Sequence, residues 1–282
     1  MTEPLMLLGK PVVDAIEQNV RQRALVLANQ NITPQLATIL VGEDPASTTY
    51  VRMKGNACKR NGLTSKRIHL PESTTTIQLL AIIQELNEDP SIHGILLQHP
   101  VPRHIDEGTA FDAILPQKDV DGVSSAGFGL LALGHPGYGA CTPQGILHLL
   151  DYYHISLSGL HAVVLGRSAI LGKPMAAMLL NRDATVTVCH SHSRDVPSLV
   201  ATADLLVAAV GKPRYVQGSW IKPGAVVIDA GYNPGNVGDV DFSACLEQAS
   251  AITPVPGGVG PVTIATLLDH TVRAAEMSIS QA

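Results

Sequence analysis

The chain has 282 residues, 45% of them hydrophobic and 15% charged, with a formal net charge of -5, which sets it apart from disordered, collagenous and supercharged sequences. Its Lys and Arg are scattered and its aromatics make up only 4%, so it lacks the basic, aromatic-studded face of a nucleic-acid binder and its expected partner is a small molecule. The length is about twice that of a typical single core, so two domains are expected.

In chain order, "MTEPLMLLGKPVVDAIEQ" has no basic leader and no long apolar core. No later run reaches the roughly 18 apolar residues of a membrane span, so a soluble, unexported protein is expected. "QLATILVG" (35–42), "KRIHL" (66–70) and "HGILLQHP" (93–100) read as strands. A helix is expected over 45–61, with Asp44 as N-cap, Pro45 at the first helical position and Gly62 past the end. A second is expected over 75–87, capped by Ser73 or Thr74 and ended before Pro90. The βαβαβ order favours a parallel sheet.

On the first helix Tyr50 and Lys54 project from one face, one turn apart. There a ring can stack on a flat ligand while the amine reaches its reactive edge. The plainer reading is a surface pair whose lysine snorkels to water. Gln98 ends an apolar strand, and parallel sheets bind ligands beyond the carboxyl ends of their strands. Asp121 lies in "KDVDG", either a grip for the donors of a heterocycle or a turn-former bonded to its own backbone.

The Gly- and Pro-dense "GLLALGHPGYGACTPQG" marks the boundary between halves, with Thr142 capping a helix from Pro143. Residues 1–141 and 262–282 are assigned to one domain and 142–261 to the other. In the second half, strands are expected at 161–166, 184–190, 203–211, 224–231 and 250–256. Their continuous apolar character suits a sheet covered on both faces.

After "AVVL" comes "GRSAILGKPMAAMLL", with Gly166 at the strand end, a second glycine six residues later and a helical run. This outlines a phosphate-binding turn, in which glycine admits a pyrophosphate and the helix N-terminus offers free N–H groups. It departs from GxGxxG, so an ordinary strand-to-helix turn stays open. The acid that holds a ribose 2′-hydroxyl is missing from "CHSHSR" at the end of the next strand. Ser191 and Arg167 suit a 2′-phosphate there, which argues for NADP over NAD. Cys189, His190 and His192 are metal-type residues, but a closed zinc site needs four ligands and no second cluster accompanies them; no metal is expected. Cys58, Cys141, Cys189 and Cys245 lack CxxC spacing, which fits a reducing cytoplasm. In "TPVPGGVGPVT" (253–263) prolines stiffen the approach and glycines leave backbone open to a flat ligand before Pro261 begins a helix. The tail "GPVTIATLLDHTVRAAEM" has helical spacing.

Taken in order, "VGEDPASTTYVRMK", "GILLQHPVP", "KDVDG", "GRSAILGKPM", "CHS", "GDVDF" and "TPVPGGVGPVT" resemble the methylenetetrahydrofolate dehydrogenase/cyclohydrolase family over nearly the whole chain. The resemblance implies an α/β protein of two domains across a cleft: an N-terminal parallel α/β domain and a C-terminal Rossmann-like NADP-binding domain. It also implies a C-terminal helix returning to the first domain, a cytoplasmic homodimer, and a role in one-carbon metabolism and purine biosynthesis. The implied reactions are NADP-dependent oxidation of 5,10-methylenetetrahydrofolate to the methenyl form and its hydrolysis to 10-formyltetrahydrofolate.

By the same resemblance Lys54 is the catalytic lysine, Tyr50 the ring stacked on the folate, Gln98 the partner tuning the lysine and Asp121 the pterin anchor. Gly166, Arg167, Ser168, Ser191 and Tyr232 would contact the cofactor, with Arg167 and Ser191 toward the 2′-phosphate. Leu97, His99, Pro256, Gly257, Gly258, Val259 and Gly260 would line the folate side. The chain departs from the family where it reads "DGVSSAGFG" against a frequent "DGFHPxNxG" and "ACTPQG" against "PCTPxG". It also has His99 for a frequent Leu and Tyr232 for a small aliphatic. Another NADP-linked dehydrogenase on a similar frame and a non-catalytic folate-binding module are the competing classes.

Overall fold

A computed structural model describes residues 3–279. The chain divides into two compact units. One comprises the chain up to Asp14, residues 131–134 and residues 142–263; the other comprises 15–130, 135–141 and the chain from Ile264 onward.

The second of these units is built on a three-stranded parallel sheet of order β3-β2-β4. Its strands are β2 (Gln35–Val41), β3 (Thr64–Leu70) and β4 (Gly94–Leu97). Central β2 is buried along nearly its whole length, while edge strand β3 alternates, which explains why "KRIHL" carries charges between its apolar residues. Between them runs α2 (Pro45–Arg60), started as expected by Asp44, whose carboxylate accepts from Ser47 N at 2.7 Å, and by Pro45 in the first turn. The next helix, α3 (Thr76–Glu88), is capped by Thr75 and not by Ser73 or Thr74. Thr75 Oγ1 accepts from Gln78 N, and Gln78 Oε1 accepts from Thr75 N. Only this member of the Ser-Thr-Thr-Thr run has a glutamine three positions on to close the box.

Most of α1 (Gly9–Ala28) and α10 (Val259–Ile279) supplies the apolar cover of that sheet. Val20, Ala24 and Leu27 pack in one cluster with Leu36, Leu96, Leu268 and Val272. Arg23 ties the two helices together, bonding Asp269 at 2.5 Å and Glu276 at 2.6 Å. Short helices α4 (Glu107–Asp112) and α5 (Ser125–Ala132) follow β4.

The other unit carries a six-stranded, wholly parallel sheet of order β1-β9-β8-β7-β5-β6. Its strands are β1 (Leu5–Met6), β5 (His161–Leu165), β6 (Thr185–Cys189), β7 (Leu205–Ala208), β8 (Val226–Asp229) and β9 (Ala251–Ile252). They alternate with α6 (Cys141–Tyr152), α7 (Gly172–Leu180), α8 (Val196–Val200) and α9 (Phe242–Leu246). β5, β7 and β8 are almost entirely buried and β6 is the half-exposed edge.

Two boundaries differ from the expectation. Leu5 pairs with Ala251, so the chain up to Asp14 groups with 142–263, whereas sequence reading kept all of 1–141 together; a two-residue strand carries no periodicity to read. Helix α6 begins at Cys141 and not at Pro143, which places Thr142 and Pro143 inside its first turn, and the Cys141 N–H, without an intrahelical partner, bonds Asp121 O. Among the described residues no helix is long and apolar enough to cross a membrane.

Candidate active site and cofactor turn

In the unit built on β3-β2-β4, three segments meet around one amine. Gln98 follows β4 directly, and its N–H bonds Ile39 O, extending the ladder one residue past the strand. Its buried side chain is fixed at both ends: Nε2 donates to His99 O at 2.7 Å, and Oε1 accepts from Lys54 Nζ at 3.0 Å. The amide is thereby oriented with its oxygen toward the lysine. Lys54 is only partly exposed, and loss of water around its ammonium is the largest influence on it, lowering its pKa. The Asp121 carboxylate acts in the opposite direction, followed by Cys141 and Cys58. Lys54 is therefore not the water-exposed lysine of the plainer reading. Tyr50 is half-buried one turn earlier on α2.

The two carboxylates of "KDVDG" have separate tasks. Asp119 is the turn-former, buried, and accepts from Gly122 N, Val123 N and Ser124 N at 2.9–3.2 Å. That leaves Asp121 partly exposed and acting on Lys54. Gly122 has φ +67° and a Cβ there would lie 2.5 Å from Gly139 C, so only glycine closes this turn. Leu97 is buried in β4. His99 turns its ring to Glu107, Nδ1 to Oε1 at 2.7 Å, and Glu107 also accepts from Val101 N. Burial is the largest influence on the Glu107 carboxyl and raises its pKa, but the His99 hydrogen bond and charge and the Val101 N–H together outweigh it, and the net direction is downward.

In the six-stranded unit the strand register brings the cofactor candidates to one edge. Leu165 of β5 pairs with Cys189 of β6 and with Ala208 of β7, and Ala208 pairs with Asp229 of β8. Gly166–Ser168, Ser191 and Tyr232 therefore leave the sheet side by side at the carboxyl ends of their strands. Arg167, Ser168 and Ser191 are exposed. Gly166 has φ +120° and its Cβ would sit 2.2 Å from Ala209 O; a Cβ on Gly172 would sit 2.2 Å from Gly166 O. Both glycines are needed for the turn to fold back on the start of α7, whose N-cap residue Leu171 offers no side-chain cap. Ser168 Oγ accepts from Gly172 N at 3.3 Å. A glycine cradle, a helix start whose N-cap residue offers no side-chain cap, and Arg167 and Ser191 leaving adjacent strands with no acid at the β6 end fit a dinucleotide carrying a 2′-phosphate.

The loop 253–260 belongs to the same unit. Gly257 has φ +103° and its carbonyl accepts from Gly9 N at 2.7 Å, while Gly258 is packed against Pro254 O. Pro256, Gly257 and Gly260 are exposed, and Val259 and Gly258 are buried, so the open backbone surface is narrower than three glycines suggest. Tyr232 is exposed and its hydroxyl donates to Asn236 Oδ1 at 2.7 Å. Cys189 is buried, and among the described residues no three metal-type side chains converge.

Sequence reasoning gave no role to a buried pair beneath Tyr232. Asp229 accepts from Gly231, Asp239 and Val240 N–H groups. Asp239 accepts from Val210, Gly211 and Lys212 N–H groups and from Asn233 Nδ2. Burial pushes Asp229 up to about 6. These carboxylates stitch the loops after β7 and β8 together. The available signals were Asp229 at the end of the apolar run "GAVVIDAG" and Asp239 in "GDVDF", whose second acid, Asp241, caps α9.

Known proteins resemble the chain throughout. Residues 7–121 match the family model described as tetrahydrofolate dehydrogenase/cyclohydrolase, catalytic domain, and residues 140–279 match its NAD(P)-binding domain. The bifunctional protein FolD of Shouchella clausii is 60% identical over 279 residues, covering 99% of this chain and 100% of that protein. FolD of Cellvibrio japonicus is 58% identical over 276 residues, 98% of this chain and 99% of its own. Among solved structures, the methylenetetrahydrofolate dehydrogenase-cyclohydrolase of Trypanosoma brucei, complexed with NADP cofactor and inhibitor, has a TM-score of 0.95 at 37% identity, covering 99% of each chain. The bifunctional enzyme from Campylobacter jejuni has a TM-score of 0.94 at 44% identity, covering 96% of this chain and 98% of its own. The shikimate dehydrogenase of Aquifex aeolicus, at 12% identity and a TM-score of 0.56, covering 88% of this chain and 97% of its own, shares the fold alone. Matched in both halves and over nearly its full length, the chain belongs to the tetrahydrofolate dehydrogenase/cyclohydrolase family.

Proposed function

We infer that the chain oxidises 5,10-methylenetetrahydrofolate to 5,10-methenyltetrahydrofolate with NADP and hydrolyses that product to 10-formyltetrahydrofolate. The observation that carries this reading is the partly buried Lys54 amine, hydrogen-bonded to Gln98 and facing Asp121, in a chain whose other unit has a dinucleotide turn suited to a 2′-phosphate.

In the first reaction the methylene carbon of the folate loses a hydride while a folate nitrogen lone pair forms the iminium bond, so the protein's task is orientation. Bound NADP supplies the hydride acceptor. Tyr50 stacks on the folate, Asp121 accepts from the pterin donors, and Leu97, His99 and the 256–260 loop line the folate. Arg167 and Ser191 grip the 2′-phosphate, Ser168 and Gly166 the diphosphate side, and Tyr232 meets the nicotinamide end with its backbone.

In the second reaction water adds to the methenyl carbon and loses one proton to leave a hydroxyl; the carbon–nitrogen bond then opens as that hydroxyl gives up its proton to become the formyl carbonyl and the departing nitrogen takes a proton, so one proton is released overall. A lysine whose pKa is lowered by burial gives up its proton more readily than a free lysine, and a cationic methenyl-folate lowers it further. Gln98 holds that amine by its oxygen, which accepts a hydrogen bond from it in either charge state.

The chain works as a homodimer in the cytoplasm, where its product feeds one-carbon transfer, purine biosynthesis included. Edge strand β6, with Val188 and the neighbouring Leu180 exposed, supports a second copy as partner. The four cysteines are buried free thiols, in keeping with a reducing compartment. The test is initial-rate turnover of 5,10-methylenetetrahydrofolate with NADP and with NAD. Formation of the methenyl chromophore with a clear preference for NADP is expected; no turnover with either cofactor would overturn the reading.

A further inference from the structure

We propose that His270 is a positioning residue for folate binding, acting through the backbone of Asp121, with Cys141 as its second clamp. The proposal rests on the reading of Asp121 as a folate contact.

Asp121 stands in a short turn, and the direction of its side chain depends on how the peptides on either side are held. The carbonyl before it, Val120 O, lies 2.8 Å from His270 Nδ1 and accepts the Cys141 thiol at 3.2 Å. The Asp121 carbonyl accepts from Cys141 N at 3.1 Å. Val120 O can only accept, so Nδ1 of His270 carries a proton and donates to it. The 3.7 Å approach of Cys141 Sγ to the same Nδ1 is therefore not a thiolate–imidazolium pair, because both groups point their hydrogens at one carbonyl. Burial and then the Asp121 charge hold the Cys141 thiol well above its usual range, which keeps it an S–H donor.

His270 is buried on α10 and its ring lies against Tyr138, with ring centroids 5.2 Å apart. Val120 itself is fixed from beneath by Gly94, where an added Cβ would come within 2.6 Å of it. A histidine is a costly choice for such a place unless its donor is used. Here it fixes the peptide from which the Asp121 carboxylate projects toward Lys54.

The test measures steady-state kinetics of folded, purified variants for methylenetetrahydrofolate and NADP separately, with Asp121→Asn as reference. Expected is an increase of about tenfold in the folate KM of His270→Leu, equivalent to losing one aligned hydrogen bond, with the NADP KM unchanged. His270→Asn, which can place an amide donor near the Nδ1 position, should recover most of it. A role confined to stability would lower melting temperature and the active fraction without separating the two KM values. If Asp121→Asn raises the folate KM and His270→Leu does not, the proposal fails alone; if Asp121→Asn leaves it unchanged, the reading beneath fails. Should His270→Leu not fold, Cys141→Ala against Cys141→Ser decides: a higher folate KM in Ala than in Ser supports the clamp, and equal values overturn it.

Discussion

Lys54 is expensive to keep charged where it stands. Its pKa is lowered first by loss of water, against the pull of Asp121, so the folded chain holds this proton less tightly than the unfolded chain does. The cost is fully present below the folded pKa and is relieved as pH rises toward about 10.4, the value of a free lysine. Lys54→Met removes that titration, so in urea unfolding the stability of wild type relative to the variant should rise with pH between 7 and 10. Asp229 has the opposite sign. With its folded pKa raised to about 6, the folded state binds the extra proton, so its contribution falls as pH rises from about 4 to about 6. The difference amounts to roughly 3 kcal/mol, and the stability difference between wild type and Asp229→Asn should drift by that order across this window. Lys54, Gln98 and Asp121 were candidates because each sits at a recognisable place, a helix face, a strand end and a turn, but the places alone left a surface lysine, a strand-end amide and a turn-former equally open, and only the order of family motifs singled them out. The distinction between Asp119 as turn-former and Asp121 as the carboxylate facing Lys54 was not legible, since two aspartates two residues apart differ only in what folds around them.

The elements that hold these side chains follow ordinary local rules. α2 announces its start with Asp44 and Pro45 and so fixes where along the helix Lys54 falls. The capping box of α3 lay within a Ser-Thr-Thr-Thr run where the deciding feature was Gln78. Thr75→Ala should cost about 1 kcal/mol, read by urea unfolding, with kcat unchanged. Gly94 is a glycine inside a strand because β4 must pass close to Val120. Gly94→Ala should destabilise by about 1–3 kcal/mol through overpacking and raise the folate KM by displacing the turn that bears Asp121. β1 escaped the sequence because its pairing with β9 joins residues almost 250 positions apart, Leu5 and Ala251, and no local pattern encodes that. The Asp229 and Asp239 network escaped for the same reason, since its donors come from two separate loops.

For the whole molecule, family membership and the division into a catalytic and a nucleotide-binding half were readable from the order of motifs, while the reach of each unit along the chain needed the sheet pairings. Arg167 and Ser191 emerge from adjacent parallel strands, so on the proposed reading cofactor choice is set at that edge. Arg167→Ala should raise the KM for NADP by roughly 10- to 100-fold, the loss of a charge-assisted pair, and leave whatever turnover is measured with NAD nearly unchanged. The most direct measurement follows the methenyl absorbance in wild type and in Lys54→Met, first from methylenetetrahydrofolate with NADP and then from methenyltetrahydrofolate alone. Wild type should make and clear the methenyl form, while the folded variant clears it no faster than buffer does. A variant that hydrolyses methenyltetrahydrofolate at the wild-type rate would contradict the assignment of Lys54 and the chemistry built on it.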